Sequence, residues 1–119
     1  MPESSVLDPQ AIENLRALNP GDNDEFLREI AQIFLEDTPK RITELDQSAL
    51  TGDVEKFTRA AHSIKGSSAN IGATSLRAAA EKLEHQSRVQ GIAGAADLVD
   101  QVKTEFVRTQ SALNTLIGK

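Results

Sequence analysis

Three observations predict an all-α fold, an antiparallel four-helix bundle with a short additional N-terminal helix. Apolar residues recur at helical spacing, and no strand-like alternation competes with them. Capping and turn residues punctuate the chain at the ends of each periodic run. Aromatics are only 3% of the chain, with no Trp or Tyr, so the core must be aliphatic, and abundant alanine allows the helices to pack closely. The 119 residues suit one domain able to bury about two thirds of its unfolded surface. Residues 1–6, beginning Met1-Pro2-Glu3-Ser4-Ser5, are expected to form a disordered lead and residues 7–119 the bundle.

The first helix starts at Leu7-Asp8-Pro9-Gln10, with Asp8 as N-cap and Pro9 at the first helical position. Ile12, Leu15 and Leu18 form its apolar stripe, and Asn19-Pro20-Gly21 stops it. The second helix is expected to start near Asp22 or Asn23 and to run to about Leu50. It carries two stripes, Phe26-Ile30-Ile33-Phe34 and Leu27-Ala31-Thr38-Ile42-Leu45-Ala49, which implies two packing partners. Pro39 lies between its halves and either kinks the helix or divides it. Thr51-Gly52-Asp53 is a turn ending in an N-cap, and the third helix runs from about Asp53 to Asn70. Gly72 suits a left-handed cap at its end. Leu76, Ala79, Ala80, Leu83 and Ser87 share the buried face of a fourth helix opening at Ala73 or Thr74. The last helix, from about Ala95 to Leu116, presents Val99, Val102, Phe106, Thr109, Leu113 and Leu116 at near-heptad spacing.

Composition narrows function. Net charge is -5 with pI ≈ 5.0, which argues against a nucleic-acid surface. The absence of cysteine excludes disulfide and thiolate chemistry and fits a reducing, cytoplasmic setting. No apolar run approaches the roughly 18 residues a membrane span needs, so no direct membrane insertion is expected.

One histidine stands out. On the third helix Val54, Phe57, Ala61, Ile64 and Ser68 share a face, and His62 lies about 110° from its centre, on a flank that reaches water. Lys65 and Gly66 follow at i+3 and i+4 and are its surface neighbours. Glycine inside a helix costs about 1 kcal/mol relative to alanine; its presence here implies that something approaches the backbone. The surroundings are locally basic, with Lys56, Arg59, Lys65 and Arg77. A neutral imidazole can attack phosphorus and hold the phosphoryl group covalently, and a neighbouring cation can offset the charge. No Gly-x-x-x-x-Gly-Lys-Ser/Thr loop or kinase signature set is present, so donor and acceptor must be other proteins or domains. His85, nearly opposite the Leu76–Leu83 stripe and close to Glu81, reads as plain surface. Neither histidine follows a glutamate by three residues and His-Glu-x-x-His is absent, so no metal site is expected.

The stretch Ala61-His62-Ser63-Ile64-Lys65-Gly66, followed by Gly72 and Leu76, resembles the histidine-containing phosphotransfer (HPt) domain family, with Ile64 where a leucine is usual. The resemblance implies a four-helix-bundle phosphocarrier. It makes His62 the acceptor and donor of the phosphoryl group, Lys65 the charge-stabilising residue and Gly66 the gap that admits a partner. The implied partners are response-regulator receiver domains, whose aspartate exchanges the group and whose bound Mg²⁺ serves the reaction. The carrier has no cofactor of its own and needs only to be a monomer. Ser63, Ala69 and Arg59 beside the histidine, with Ile12, Leu15, Ile33 or Phe34 as apolar contacts, are the candidate docking residues. Some relatives carry a glutamine where this chain has Glu84; Glu84 is expected at the surface, paired with Arg88 at i+4. Two further readings stay open. One is an HPt-like interaction module that binds a partner without turning over phosphate. The other is the phosphorylated N-terminal domain of a chemotaxis-type kinase, which the short first helix favours less. A free carrier and a domain of a hybrid sensor kinase fit the sequence equally.

Overall fold

The computed structural model describes residues 6–118. Five helices follow in order: α1 (Pro9–Leu18), α2 (Glu25–Thr51), α3 (Val54–Ile71), α4 (Thr74–Gln90) and α5 (Ala96–Leu116). Among the described residues there is no strand. Residues 1–5 of the expected lead lie outside the described residues; its sixth, Val6, is buried.

The helix ends follow from local chemistry. Asp8 caps α1, its carboxylate accepting from the Gln10 amide at 3.0 Å, with Pro9 next in the chain. Asp53 caps α3 through the Lys56 amide. At the start of α2, Asn23 and Asp24 adopt left-handed backbone (φ 63 and 65), so the helix begins at Glu25 rather than at Asp22 or Asn23. Asp22 still serves that end, accepting from the Phe26 amide at 2.9 Å. Pro39 lies inside one continuous helix. It withholds one donor from the backbone ladder, and α2 is neither divided there nor ended.

Turns of a few residues join α2 to α3, α3 to α4 and α4 to α5, and each consecutive pair packs together. Long helices joined so briefly must run antiparallel. α5 closes the ring by packing on α2, where the Phe34 and Phe106 rings meet at 6.1 Å in a tilted arrangement. The core is aliphatic apart from such rings, with Leu27, Leu45, Phe57, Ile64, Leu76, Leu83, Val102 and Leu113 almost fully buried. Several positions at the edges of the expected stripes differ, Ile33 and Leu18 among them, both exposed. Val54 is exposed, and on α2 Ser48 rather than Ala49 turns inward. Ser48 tolerates burial because its hydroxyl donates to the Glu44 carbonyl at 2.6 Å.

α1 lies across α2 and α3. The Asp8 amide donates to the Gly72 carbonyl at 2.8 Å, fastening the start of α1 to the α3–α4 turn. Gly72 is left-handed (φ +79), and a Cβ there would stand 2.7 Å from that of Ala11. The same glycine ends α3 and makes room for α1.

Candidate functional site

His62 occupies the middle of α3 on the flank facing α4. Its side chain is 60% exposed, yet one ring nitrogen is engaged: Nδ1 lies 2.8 Å from Glu84 Oε2 on α4. Glu84 is the centre of the site. Its carboxylate, only 4% exposed, also receives Lys65 Nζ at 2.9 Å on Oε1 and Arg88 Nη2 at 2.7 Å on Oε2. One buried anion thus gathers an imidazole, an ammonium and a guanidinium from two helices. One turn away, the Thr58 and Ser87 hydroxyls meet at 2.7 Å and Ser87 donates to the Glu84 carbonyl, fixing the two helices against each other beside the ring.

Burial alone would push the Glu84 carboxyl up. The hydrogen bonds from Lys65 and His62, and then the nearby charge of Lys65, outweigh it and hold the group below its ordinary value of 4.5. Glu84 is therefore ionised at neutral pH. Its ion pairs stabilise the α3–α4 contact above pH 4.5, and that contribution is lost as the pH falls through the lower folded-state value. An ionised carboxylate only accepts hydrogen bonds, so Nδ1 must carry the imidazole proton. Nε2 of the neutral ring then holds the lone pair. With Nδ1 turned inward onto Glu84, Nε2 is on the open side.

That side is accessible. A groove of about 400 Å³ runs between α3 and α4 past Thr58, Arg59, His62, Ser87 and Arg88. Gly66, one turn further along α3, is exposed, and a Cβ built there meets nothing within 4 Å. Ser63, Ala69 and Arg59 are also exposed. His85 is exposed as well.

Three expectations need correction. Glu84 is not a surface residue: the pairing with Arg88 is present, but the carboxylate is buried and turned to His62 and Lys65. Its position carried part of the signal, since on a helical wheel residue 84 falls about 40° beyond Ala80 and 60° from Ser87, at the border of the buried stripe. Its charge masked that. Ile12 and Leu15 are 4% and 8% exposed and belong to the core; packing of α1 on α2 and α3 consumes them, and they offer a partner almost no area. Of the other apolar candidates Phe34 is also buried, whereas Ile33 is 62% exposed. Leu18, at the end of α1, is exposed too.

A closed four-helix bundle that holds an outward imidazole beside a lysine and a bare stretch of helix backbone is the architecture of a histidine phosphotransfer domain. The family model for the Hpt domain matches residues 29–112, well over half of the chain, and the chain belongs to that family. Histidine-containing phosphotransfer protein 1 of Arabidopsis thaliana is 27% identical over 115 residues, covering 93% of this chain and 73% of that protein. Multistep phosphorelay regulator 1 of Schizosaccharomyces pombe is 24% identical over 96 residues, 81% of this chain and 32% of that much longer protein. The crystal structure of histidine-containing phosphotransfer protein B from Pseudomonas aeruginosa PAO1 superposes with a TM-score of 0.82 at 27% identity, covering 92% of each chain. The general function of the chain is histidine phosphotransfer in a phosphorelay. Among the described residues no helix is long and apolar enough to cross a membrane.

Proposed function

We propose that His62 is the phosphoryl carrier, exchanging the group with aspartates of cytoplasmic receiver domains that dock over the exposed flank of α3. The observation that carries this reading is the setting of the imidazole: Nδ1 is fastened to Glu84 at 2.8 Å on a side chain that is 60% exposed, which leaves Nε2 as the nitrogen for a visiting group. In the accepting step the Nε2 lone pair attacks the phosphorus of a receiver aspartyl phosphate. The N–P bond forms, the P–O bond to aspartate breaks, and the aspartate leaves as a carboxylate. The return step reverses this with another receiver. The chemistry needs little beyond in-line positioning and charge neutralisation. The rigid helix and Glu84 supply the first. Lys65 supplies part of the second, and Mg²⁺ on the receiver supplies the rest. Arg59, Ser63 and Ala69 form the docking rim around Gly66, and Ile33 and Leu18 are better placed than Ile12 or Leu15 to offer apolar area. A monomer suffices for every step.

Incubation with a receiver domain phosphorylated on its aspartate tests the reading. An acid-labile, alkali-stable label is expected on the chain, and peptide mapping at alkaline pH places it on His62 with none on His85. A stable complex without label would favour a binding module instead. Lys65→Ala is expected to slow transfer by about tenfold or more, since preorganised charge at the reacting group is lost. Its urea midpoint should change little, because Arg88 and His62 still hold Glu84. Transfer at the wild-type rate, measured by rapid quench, would remove Lys65 from the reaction.

A further inference from the structure

Glu84 has a second consequence, in the phosphorylated state. A phosphoryl group on Nε2 leaves Nδ1 as the ring's only other nitrogen, and Nδ1 is where Glu84 sits, at 2.8 Å. If Nδ1 keeps its proton, the phosphorylated ring is an imidazolium, and breaking the P–N bond returns the electron pair to Nε2 and releases neutral imidazole. If Nδ1 has lost its proton, the same step must release an imidazolate anion, a far more basic leaving group.

We propose that ionised Glu84 retains the Nδ1 proton of phosphorylated His62, so that the P–N bond stays ready to break well into the alkaline range. This rests on His62 being the carrier. The charged groups around the ring come from α3 and α4. Lys65 and Arg88 are cations, and acting directly on the ring they would disfavour its positive charge. Both are bound to the Glu84 carboxylate, at 2.9 and 2.7 Å, and there they keep it ionised. Arg59 and Glu55 line the groove and offset one another. Glu84 is the group in hydrogen-bond contact with the ring, and it is buried, so its effect is screened least. The incoming phosphoryl charge acts in the same direction. No proton need move at any point of the cycle: Nδ1–H is donated to Glu84 before, during and after transfer. A glutamine at this position could accept the same hydrogen bond but would lack the charge.

The comparison of wild type with Glu84→Gln reads this directly. Both chains, labelled with ¹⁵N, are phosphorylated with potassium phosphoramidate, which requires no docking. The Nδ1 resonance of the phosphorylated ring is then followed from pH 6 to 10. An opposite charge at this range shifts a titration by about 1–3 units, so deprotonation in wild type should lie at least about one unit above that of the variant. The ratio of wild-type to Glu84→Gln transfer rates to a receiver should rise by about tenfold or more from the acid to the alkaline end, one decade for each unit lost. Should the variant not fold, the wild-type titration alone decides, compared with free Nε2-phosphohistidine: it must lie higher. Coincident titrations of wild type and variant, or of wild type and the free amino acid, would overturn the proposal and leave the carrier reading intact. Failure of wild type to take a phosphoryl group on His62 at all would instead overturn the carrier reading itself.

Discussion

A leucine at position 66 is expected to strengthen the α3 helix and abolish phosphoryl transfer from a receiver domain. Gly66 has ordinary helical geometry and open space beyond it, since a Cβ there meets nothing within 4 Å. The isolated domain therefore has no packing reason for glycine, and replacing it removes a helix penalty of about 1 kcal/mol. The consequence for a partner is opposite. Side chains on a helix lean toward its N-terminus and cover the preceding turn, so the leucine would lie over Ser63 and His62. In-line transfer requires reacting atoms about 3–3.5 Å apart, and a displacement of about 1 Å can cost 100-fold. An isobutyl group at the contact moves a docked domain by more than that. Gly66→Leu should lose at least about 100-fold in kcat/KM for the phosphorylated receiver, while its urea midpoint rises. A small donor such as phosphoramidate should still load His62, because it needs no flat contact. Receiver transfer at the wild-type rate would show that close approach is not the reason for glycine here.

Several features of this molecule were plain from its residues, and the others failed for identifiable reasons. Asp8-Pro9 and Asp53 declared two helix starts because a short acceptor beside free backbone amides has few other uses. The stripe on α4 was readable because Leu76, Ala79, Ala80, Leu83 and Ser87 repeat over three turns, and all five are buried. His62 was placed on an exposed flank by the same geometry. Glu84 was misplaced because the expectation followed side-chain type, and a carboxylate is rarely buried unless its charge is met. Here it is met three times, by groups from both α3 and α4, and those tertiary partners lie up to 22 positions away in the chain. The docking role given to Ile12 and Leu15 failed similarly. A short amphipathic helix has one apolar stripe, and no local pattern says whether neighbouring helices or a visiting protein will cover it. Asn23 and Asp24 could not be foreseen as left-handed residues, because both also serve as ordinary helix caps.

Gly72→Ala is expected to be the most damaging of the simple glycine substitutions to stability, and it separates two demands that the sequence shows as one. The first demand is conformational: φ at this position is +79, where a Cβ costs about 1–2 kcal/mol. The second is spatial: that Cβ would stand 2.7 Å from Ala11 Cβ, with the Asp8 carbonyl at 3.5 Å. Ala11 has no flexible end to move aside, so α1 itself must shift, straining the Asp8–Gly72 backbone bond at 2.8 Å. Overpacking of this kind costs about 1–3 kcal/mol more, giving a total of roughly 2–5 kcal/mol for the two effects. Gly52 is the control, since it shares the conformation (φ +77) but has nothing within 4 Å of its added Cβ; Gly52→Ala should show only the conformational part. Urea unfolding of both variants reads the difference, and equal losses would show that α1 does not press on the α3–α4 turn. The effect should also reach function through α1. Once its anchor at residue 72 slips, Ile12 and Leu15 no longer seat in the core, and the surface presented beside α3 changes with them. His62, Lys65 and Glu84 belong to α3 and α4 alone, so small-molecule loading of the histidine should survive in Gly72→Ala wherever the bundle remains folded.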